Sequence, residues 1–268
     1  MMWSDKLKIG IAGVGYVGGA VKNWFEQEGF PLFLHDKGKK MGSVQELNKA
    51  ELIFLCLPTP FGEKTGFSDA AIWEVLQQIE GNKTIVVKST VLPGSIEKYQ
   101  VSFPHHKILF NPEFLTEKNA VQDFLHPKRQ IVGYTKTSKD DADKVMALLP
   151  KAPFQKIMGA KEAEMVKYFG NLFLANRVIF ANQIYDVCEK LGIDYDAVKE
   201  VAGQDERVGQ SHFDVFFEGY RGYSRSCLPK DTKAFIQLAS SLGLNPKLLK
   251  TVDEINERFI YGNKNYEW

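Results

Sequence analysis

The sequence predicts an α/β fold, a doubly wound sheet followed by an all-helical domain. Three observations point there. Short apolar runs alternate with helical patterns over residues 1–159, and several of those runs deliver polar residues at their C-terminal ends. A glycine-rich turn follows the first run. From Ala160 to Leu191 there is no proline, and only Gly170 interrupts a helical pattern. Alternation of strands and helices favours a parallel sheet with helices on its faces, and the loss of alternation marks a domain boundary near Gly159. The expected domains are therefore 1–159 and 160–268.

Lys8 to Ala12 reads as a short buried strand, and Gly13-Val14-Gly15-Tyr16-Val17-Gly18 follows it before the helical run Ala20 to Phe25. This is G-x-G-x-x-G in the setting of a Rossmann-like dinucleotide fold. The first glycine permits a tight turn, the second lets a pyrophosphate approach the backbone, and the third allows close helix–strand packing. Alone, the same pattern also suits a plain glycine-rich turn. A second strand, Pro31 to His35, ends in Asp36, an acid that can accept both ribose hydroxyls of NAD and repels a 2′-phosphate. Lys37, Lys39 and Lys40 pull the other way, toward NADP; the acid favours NAD.

Glu51 to Leu57 forms a third strand with Pro58-Thr59-Pro60 at its end, and Cys56 reads as a core residue. A helix over 69–80 leads to the strand Thr84 to Val87 and then to Lys88-Ser89-Thr90-Val91-Leu92-Pro93-Gly94. The strand Lys107 to Phe110 delivers Asn111-Pro112-Glu113-Phe114-Leu115-Thr116-Glu117. In an open parallel sheet, ligands gather outside the carboxyl ends of the strands, so these loops should converge on one crevice. Taken singly, Glu113 and Glu117 read as solvated carboxylates. Strands at 130–133 and 154–157 flank a helix over 138–149.

The long run Ala160–Leu191 reads as one helix, well beyond the mean of about 11 to 12 residues. Glu164, Lys167, Tyr168 and Asn171 recur at i, i+3, i+4 and i+7 and share one face. Helices follow at 195–202, 230–242 and 246–261. Ahead of the third of these four helices stands Ser226-Cys227-Leu228-Pro229-Lys230-Asp231, with Pro229 suited to a first helical turn. The helix dipole and Lys230 would both favour a thiolate at Cys227; a small buried cysteine is the plain alternative.

Composition narrows the class of function. With 34 basic and 33 acidic residues, 44% hydrophobic and 25% charged content, the chain carries neither a nucleic-acid nor a membrane signature. No stretch approaches the ~18 apolar residues of a membrane span. The three cysteines, Cys56, Cys188 and Cys227, are widely spaced and include no C-x-x-C pair. They suggest a reducing compartment, read as the cytoplasm. No metal site is expected.

Taken together, the glycine loop, Pro58-Thr59-Pro60, Lys88-Ser89-Thr90-Val91, Asn111-Pro112-Glu113-Phe114-Leu115, Ala163-Glu164 with Lys167 and Asn171, Asp205-Glu206-Arg207-Val208-Gly209 and Cys227-Leu228-Pro229-Lys230-Asp231 resemble, in order, the signatures of the UDP-glucose/GDP-mannose 6-dehydrogenase family. The resemblance covers that family's NAD-binding and central helical domains. It implies NAD-dependent four-electron oxidation of a sugar-nucleotide primary alcohol to the carboxylate, through a thiohemiacetal and a thioester on Cys227. Lys167 and Asn171 would donate to the oxyanion, Glu113 would be the general base for hydrolysis, and Thr90 and Asp231 would order a water or proton network. Gly13, Gly15, Tyr16, Val17, Gly18, Asp36, Pro58, Thr59, Thr90 and Glu117 would contact NAD. Phe114, Leu115 and Arg207 would contact a UDP-sugar, Arg207 in the neighbouring subunit of a homodimer built on the long helix.

Two departures from the family pattern qualify these expectations. Ser224-Arg225 stands where the family has a glycine pair, and Arg225 offers a guanidinium that could grip a phosphate. The family also continues into a third domain that holds most of the nucleotide diphosphate, with no counterpart before Trp268, so weak sugar-nucleotide binding is expected of this chain alone. A dehydrogenase of a smaller alcohol or hydroxyacid, and a non-catalytic NAD-binding dimer, stand as the other readings.

Overall fold

The computed structural model describes residues 6–216, 219–224 and 227–262. Two compact units divide the chain, Met1–Lys167 and Tyr168–Trp268. In the first unit the elements run β1 (Ile9–Ala12), α1 (Tyr16–Gln27), β2 (Leu32–His35), α2 (Val44–Leu47), β3 (Leu52–Leu55), a hairpin of β4 (Phe61–Gly62) and β5 (Gly66–Phe67), α3 (Ala70–Leu76), β6 (Thr84–Val87), α4 (Ser95–Ser102), β7 (Lys107–Phe110), α5 (Ala120–Leu125), β8 (Arg129–Tyr134), α6 (Ala142–Leu148) and β9 (Phe154–Gly159). Seven strands form one sheet in the order β2-β1-β3-β6-β7-β8-β9.

Both faces of that sheet are covered, as its apolar runs require. Successive residues of each central strand point to opposite sides: Ile53, Leu55, Ile85, Val87, Ile108 and Phe110 enter a cluster with α3 and α4. Leu52, Phe54, Val86 and Leu109 enter a second cluster with α1 and α6. Each fully buried Leu, Ile or Phe here is worth about 1.5–3 kcal/mol. Most expected elements are present, with helix ends shorter by a few residues. The expected helix over 138–149 is a 3-10 turn, Lys139–Asp141, followed by α6. Ser43 caps α2 by accepting from Glu46 N–H, a local S-x-x-E signal.

The sheet is not parallel throughout. β8 runs antiparallel to β7, through Leu109 opposite Tyr134 and Phe110 opposite Gly133, and β9 then runs parallel to β8. This reversal carries the start of β8 past the end of β7, alongside the segment that begins at Asn111. It also sets the course of α7 (Ala160–Leu191), whose 32 residues follow β9 directly. Ala160 and Ala163 lie over Gly133, where an added Cβ would come within 2.8 Å of the Ala163 side chain. Two turns into α7, Lys167 has returned to the level of Glu113.

In the second unit the regular elements are helices: the rest of α7, α8 (Tyr195–Ala202), α9 (Cys227–Ser241) and α10 (Lys247–Tyr261). α9 starts three residues before the expected 230, because Cys227 and Leu228 already take helical conformation ahead of Pro229. Ala175, Val178, Ile179, Tyr223 and Val252 form one core cluster, with Leu228, Ile255 and Phe259 packed on it. Asn256 closes the loop before α9 by accepting from Tyr223 N–H at 2.7 Å and donating to its carbonyl at 2.8 Å. Asp194 caps α8 through the amides of Asp196 and Ala197.

The glycine loop separates folding from ligand access. Gly13 has φ of +84°, and a Cβ on Gly18 would sit 1.8 Å from the Gly13 carbonyl oxygen, whereas one on Gly15 would meet nothing within 4 Å. Gly18→Ala is therefore expected to cost about 1–3 kcal/mol or more from overpacking against backbone. Gly15→Ala should leave the urea midpoint near that of the parent while weakening NAD binding, both readable by denaturation and titration of the same samples.

Candidate active site

At the end of β2, Asp36 faces the glycine loop. Its carboxylate accepts from Val14 N–H at 2.7 Å and from Lys39 N–H at 2.9 Å. Burial alone would raise its pKa, but these two amides, the Lys39 charge and the Gly38 amide together hold it below the usual carboxylate value. Two of the three lysines beside it make other contacts. Lys39 donates to the Val14 carbonyl at 2.5 Å, and Lys37 pairs with Glu74 at 3.0 Å. α1 begins at Gly15 with no side-chain cap, so its first amides and positive dipole end are open to an anion. Gly15 and Tyr16 are exposed, Val17 is half-buried, and Gly13 and Gly18 are buried. An ionised acid over an open, uncapped glycine loop fits a dinucleotide with free ribose hydroxyls.

The loops after β3 and β6 are tied to one another. Thr59 donates to the Thr90 carbonyl at 2.7 Å, and Ser89 Oγ donates to the Leu57 carbonyl and accepts from its amide. Thr59 and Thr90 are buried and Pro58 is exposed. Cys56 packs on the core as expected, and burial pushes its thiol up to about 12. Glu117, half-buried, opens the 3-10 turn Glu117–Asn119.

Beyond β7 lies a buried charged cluster. Lys167 Nζ contacts Glu113 Oε1 at 2.7 Å and donates to the Glu113 carbonyl at 2.8 Å. Burial raises the Glu113 pKa, but the Lys167 charge and hydrogen bond, the Leu115 amide and the Lys88 charge more than offset it, and the carboxyl is held below its ordinary value. Lys88 is only 2% exposed. Its ammonium donates to Asn111 Oδ1 at 2.5 Å. Burial pulls Lys88 down to about 8, against the opposing pull of Cys56 and Glu113 and with a smaller push from Lys167. Phe114 lies under the Arg129 guanidinium, 3.8 Å from its ring centre. Lys88, Glu113, Phe114, Leu115 and Arg129 line a cavity of about 700 Å³.

The shared face of α7 is not a solvated stripe. Glu164, Lys167 and Tyr168 are all buried. Glu164 accepts from Gly94 N–H at 2.5 Å and Ile96 N–H at 2.9 Å, capping α4 from 70 residues away. Burial lifts its pKa to about 7 despite those two amides.

In the second unit, Asn171 donates to Asp231 Oδ2 at 2.6 Å, and Lys230 pairs with Asp231 Oδ1. The carboxylate, 1% exposed, is thus held from both sides. Cys227 is exposed at the start of α9, with Pro229 in the first turn. Its exposure excludes the small buried cysteine as a reading of this position. Arg207 is exposed and folds onto its own neighbour Asp205, with contacts of 3.0 and 2.5 Å. Arg225 lies outside the described residues. Among the described residues there is no cluster of metal-ligating groups, and no helix is long and apolar enough to cross a membrane.

Sequence reasoning placed Glu113 and Lys167 in separate roles and did not foresee their ion pair. It quoted Lys88 and Asn111 within motifs without giving them a role, and did not single out Arg129. A usable signal existed for Lys88, since it directly follows the apolar run at 85–87.

An acid facing an open glycine loop at the strand ends defines the first unit as a dinucleotide-binding domain of the dehydrogenase type. The comparisons make the assignment particular. Residues 35–149 match the NAD binding domain of the UDP-glucose/GDP-mannose dehydrogenase family, and residues 161–258 match the family's central domain. The chain belongs to this family. It is 33% identical over 230 residues to the UDP-glucose 6-dehydrogenase TuaD of Bacillus subtilis (strain 168), covering 79% of this chain and 47% of that protein. A UDP-glucose dehydrogenase of Pyrobaculum islandicum superposes with a TM-score of 0.83 at 26% identity, covering 96% of this chain and 69% of that one. The 3-hydroxyisobutyrate dehydrogenase of Mycobacterium tuberculosis shares the fold, with a TM-score of 0.71 at 16% identity over 98% of this chain and 96% of that one. The chain spans about half the length of the curated relatives it matches.

The Glu164 cap carries a pH signature. A carboxyl whose folded pKa is about 7 rather than 4.5 binds its proton more tightly in the native state, so its contribution is full below pH 4.5 and lost as pH rises through 7. Wild-type stability relative to Glu164→Gln should fall between pH 5 and pH 8, by at most on the order of 3 kcal/mol. Urea midpoints of the two proteins at both pH values measure it.

Proposed function

We propose that this chain is the catalytic body of an NAD-dependent oxidoreductase that takes the primary alcohol of a sugar nucleotide, a UDP-sugar, to the carboxylate. The observation that carries the reading is Cys227, exposed at a helix start in a chain that matches both domains of the family. When bound, NAD accepts a hydride at each of two oxidations. Asp36 accepts the ribose hydroxyls and disfavours a 2′-phosphate, the glycine loop admits the pyrophosphate, and Tyr16, Val17, Pro58, Thr59, Thr90 and Glu117 complete the cofactor surface.

In the chemical steps, the Cys227 thiolate adds to the aldehyde carbon left by the first oxidation, forming a thiohemiacetal whose oxygen carries the developing charge. Loss of the second hydride gives a thioester. Water then attacks that carbonyl, the C–S bond breaks, and the acid leaves with Cys227 restored. Glu113 takes the proton of the attacking water, with Lys167 keeping the carboxylate ionised. An ammonium has three donors and Glu113 uses two, which leaves one Lys167 proton for an oxyanion. Asn171 likewise has a second amide proton beyond the one Asp231 accepts. An oxyanion donor of this kind is typically worth ~2.7 to 4 kcal/mol. Thr90 and Asp231 order the proton network, while Phe114 and Leu115 contact the substrate and Arg207 reaches the sugar bound in the neighbouring subunit.

The shared architecture with 3-hydroxyisobutyrate dehydrogenase favours the second reading, a smaller alcohol as substrate. A nucleophilic cysteine has no task in a single oxidation of an alcohol that stops at a ketone or aldehyde, which is why the four-electron reading is preferred. The reducing cytoplasm suits three cysteines that form no disulfide.

A panel of sugar nucleotides with NAD or NADP tests the reaction. Two NADH per acid are expected with NAD preferred, Cys227→Ser should abolish net acid, and Glu113→Gln should accumulate a covalent adduct on Cys227 visible by intact mass spectrometry. One NADH per turnover with release of aldehyde, or no NADH from any sugar nucleotide, would sink the proposal.

The active unit is proposed to be a homodimer through α7. Met165, Phe169, Phe173, Phe180, Val187 and Leu191 are exposed at spacings of four and seven along that helix, an apolar stripe suited to a second copy. Phe180→Lys should convert the protein toward monomer in sedimentation equilibrium without loss of helical circular dichroism.

A further inference from the structure

Among the described residues, Lys88 is a buried cation with no carboxylate in direct contact. Its hydrogen-bond acceptors are Asn111 Oδ1 at 2.5 Å and the Asn111 carbonyl at 3.4 Å, both neutral, and its ammonium also lies 5.2 Å from the Phe124 ring centre. Burying an ammonium against neutral partners is costly, and a site keeps such a charge where it acts on another. The groups that face it electrostatically are the Cys56 thiol from the end of β3, Glu113 from the loop after β7 and Lys167 from α7. Among these, the one ionised acid is Glu113, and both Lys88 and Glu113 line the same cavity.

Asn111 connects the two mechanically. Fully buried, it donates through Nδ2 to Gln130 Oε1 at 3.0 Å and the Ile131 carbonyl at 2.7 Å, so β8 holds one end of the amide and Lys88 the other. Gln130 continues the network to the Pro150 carbonyl at 3.3 Å. Two residues after Asn111 the chain reaches Glu113, with Pro112 stiffening the step between.

We infer that Lys88 is a positioning residue for Glu113: through Asn111 it fixes the turn that bears the carboxylate, and through its charge it keeps that carboxylate ionised and sets its basicity. Lys167 supplies the direct contact; Lys88 supplies a second positive charge that the substrate does not displace. The catalytic meaning of this assignment rests on Glu113 acting as the base for hydrolysis. Because burial brings Lys88 down to about 8, the second charge is itself removed as pH rises through that value, and Glu113 becomes a stronger base above it.

The test needs no substrate. In the wild-type protein labelled at Glu carboxyl and Lys side-chain positions, NMR titration should show the Glu113 carboxyl responding twice, at its own low pKa and again where Lys88 titrates. Lys88→Met should abolish the second response and raise the Glu113 midpoint by roughly 1 unit, the low end for loss of a nearby opposite charge. Lys88→Arg should restore the low midpoint without the second response, since a guanidinium does not titrate there. A Glu113 carboxyl indifferent to Lys88 in the wild-type titration overturns the inference even if Lys88→Met fails to fold, as does a folded Lys88→Met with an unchanged midpoint. If the shifts appear but no sugar nucleotide is oxidised, the proposed reaction fails and the electrostatic assignment stands.

Discussion

A carboxylate ion-paired to buried Lys167, with the Lys88 charge acting on it from farther away, is the constraint on which the arrangement beyond β7 depends. Burial alone would drive Glu113 toward the neutral acid, and Lys167 at 2.7 Å is the largest of the influences that oppose it. In the proposed reaction, a base kept below its ordinary pKa is weak but stays ionised, which suits an acceptor of protons from a water made acidic by attack on a thioester. The same pair limits Lys167. Its charge serves the carboxylate first, which leaves one ammonium proton for the oxyanion role proposed for it.

That pair exists because the sheet reverses. Were β8 parallel to β7, Arg129 and Gln130 would lie at the far end of the sheet from Asn111. The antiparallel register instead sets them beside it, and β9 then launches α7 back toward the same rim. Gly133 permits the close approach of Ala160 and Ala163, and Glu164 anchors the helix further by capping α4. Capping at such sequence distance makes α4 dependent on the tertiary fold. Removing that carboxylate would leave buried amides without partners, which costs more than the hydrogen bonds are worth when made.

In the second unit, Asp231 plays an analogous organising part for its own neighbours. It is closed off between Lys230 and Asn171, so the second turn of α9 and the fourth turn of α7 are joined by a buried polar contact rather than by apolar packing alone. Buried polar contacts of this kind demand one geometry, where apolar packing tolerates several. The exposed thiol of Cys227 therefore stands on a helix start whose register is set by a neighbouring acid.

Much was legible in the sequence because it is local. The glycine loop, the acid ending β2, the bounds of α7 and the order of strands follow from short-range periodicity, glycine sterics and the absence of proline, which act within a few residues wherever they occur. The motif order was also enough to place the chain in its family. What only the tertiary structure decided involves groups far apart in the chain: the direction of β8, the pairing of Glu113 with Lys167, the burial of Lys88 against Asn111, and the cap that Glu164 supplies. The physical reason is that a charge reads as a solvated surface residue in any local window. Its meaning changes only when folding removes the water around it and leaves another charge or an unpaired amide as its remaining partner.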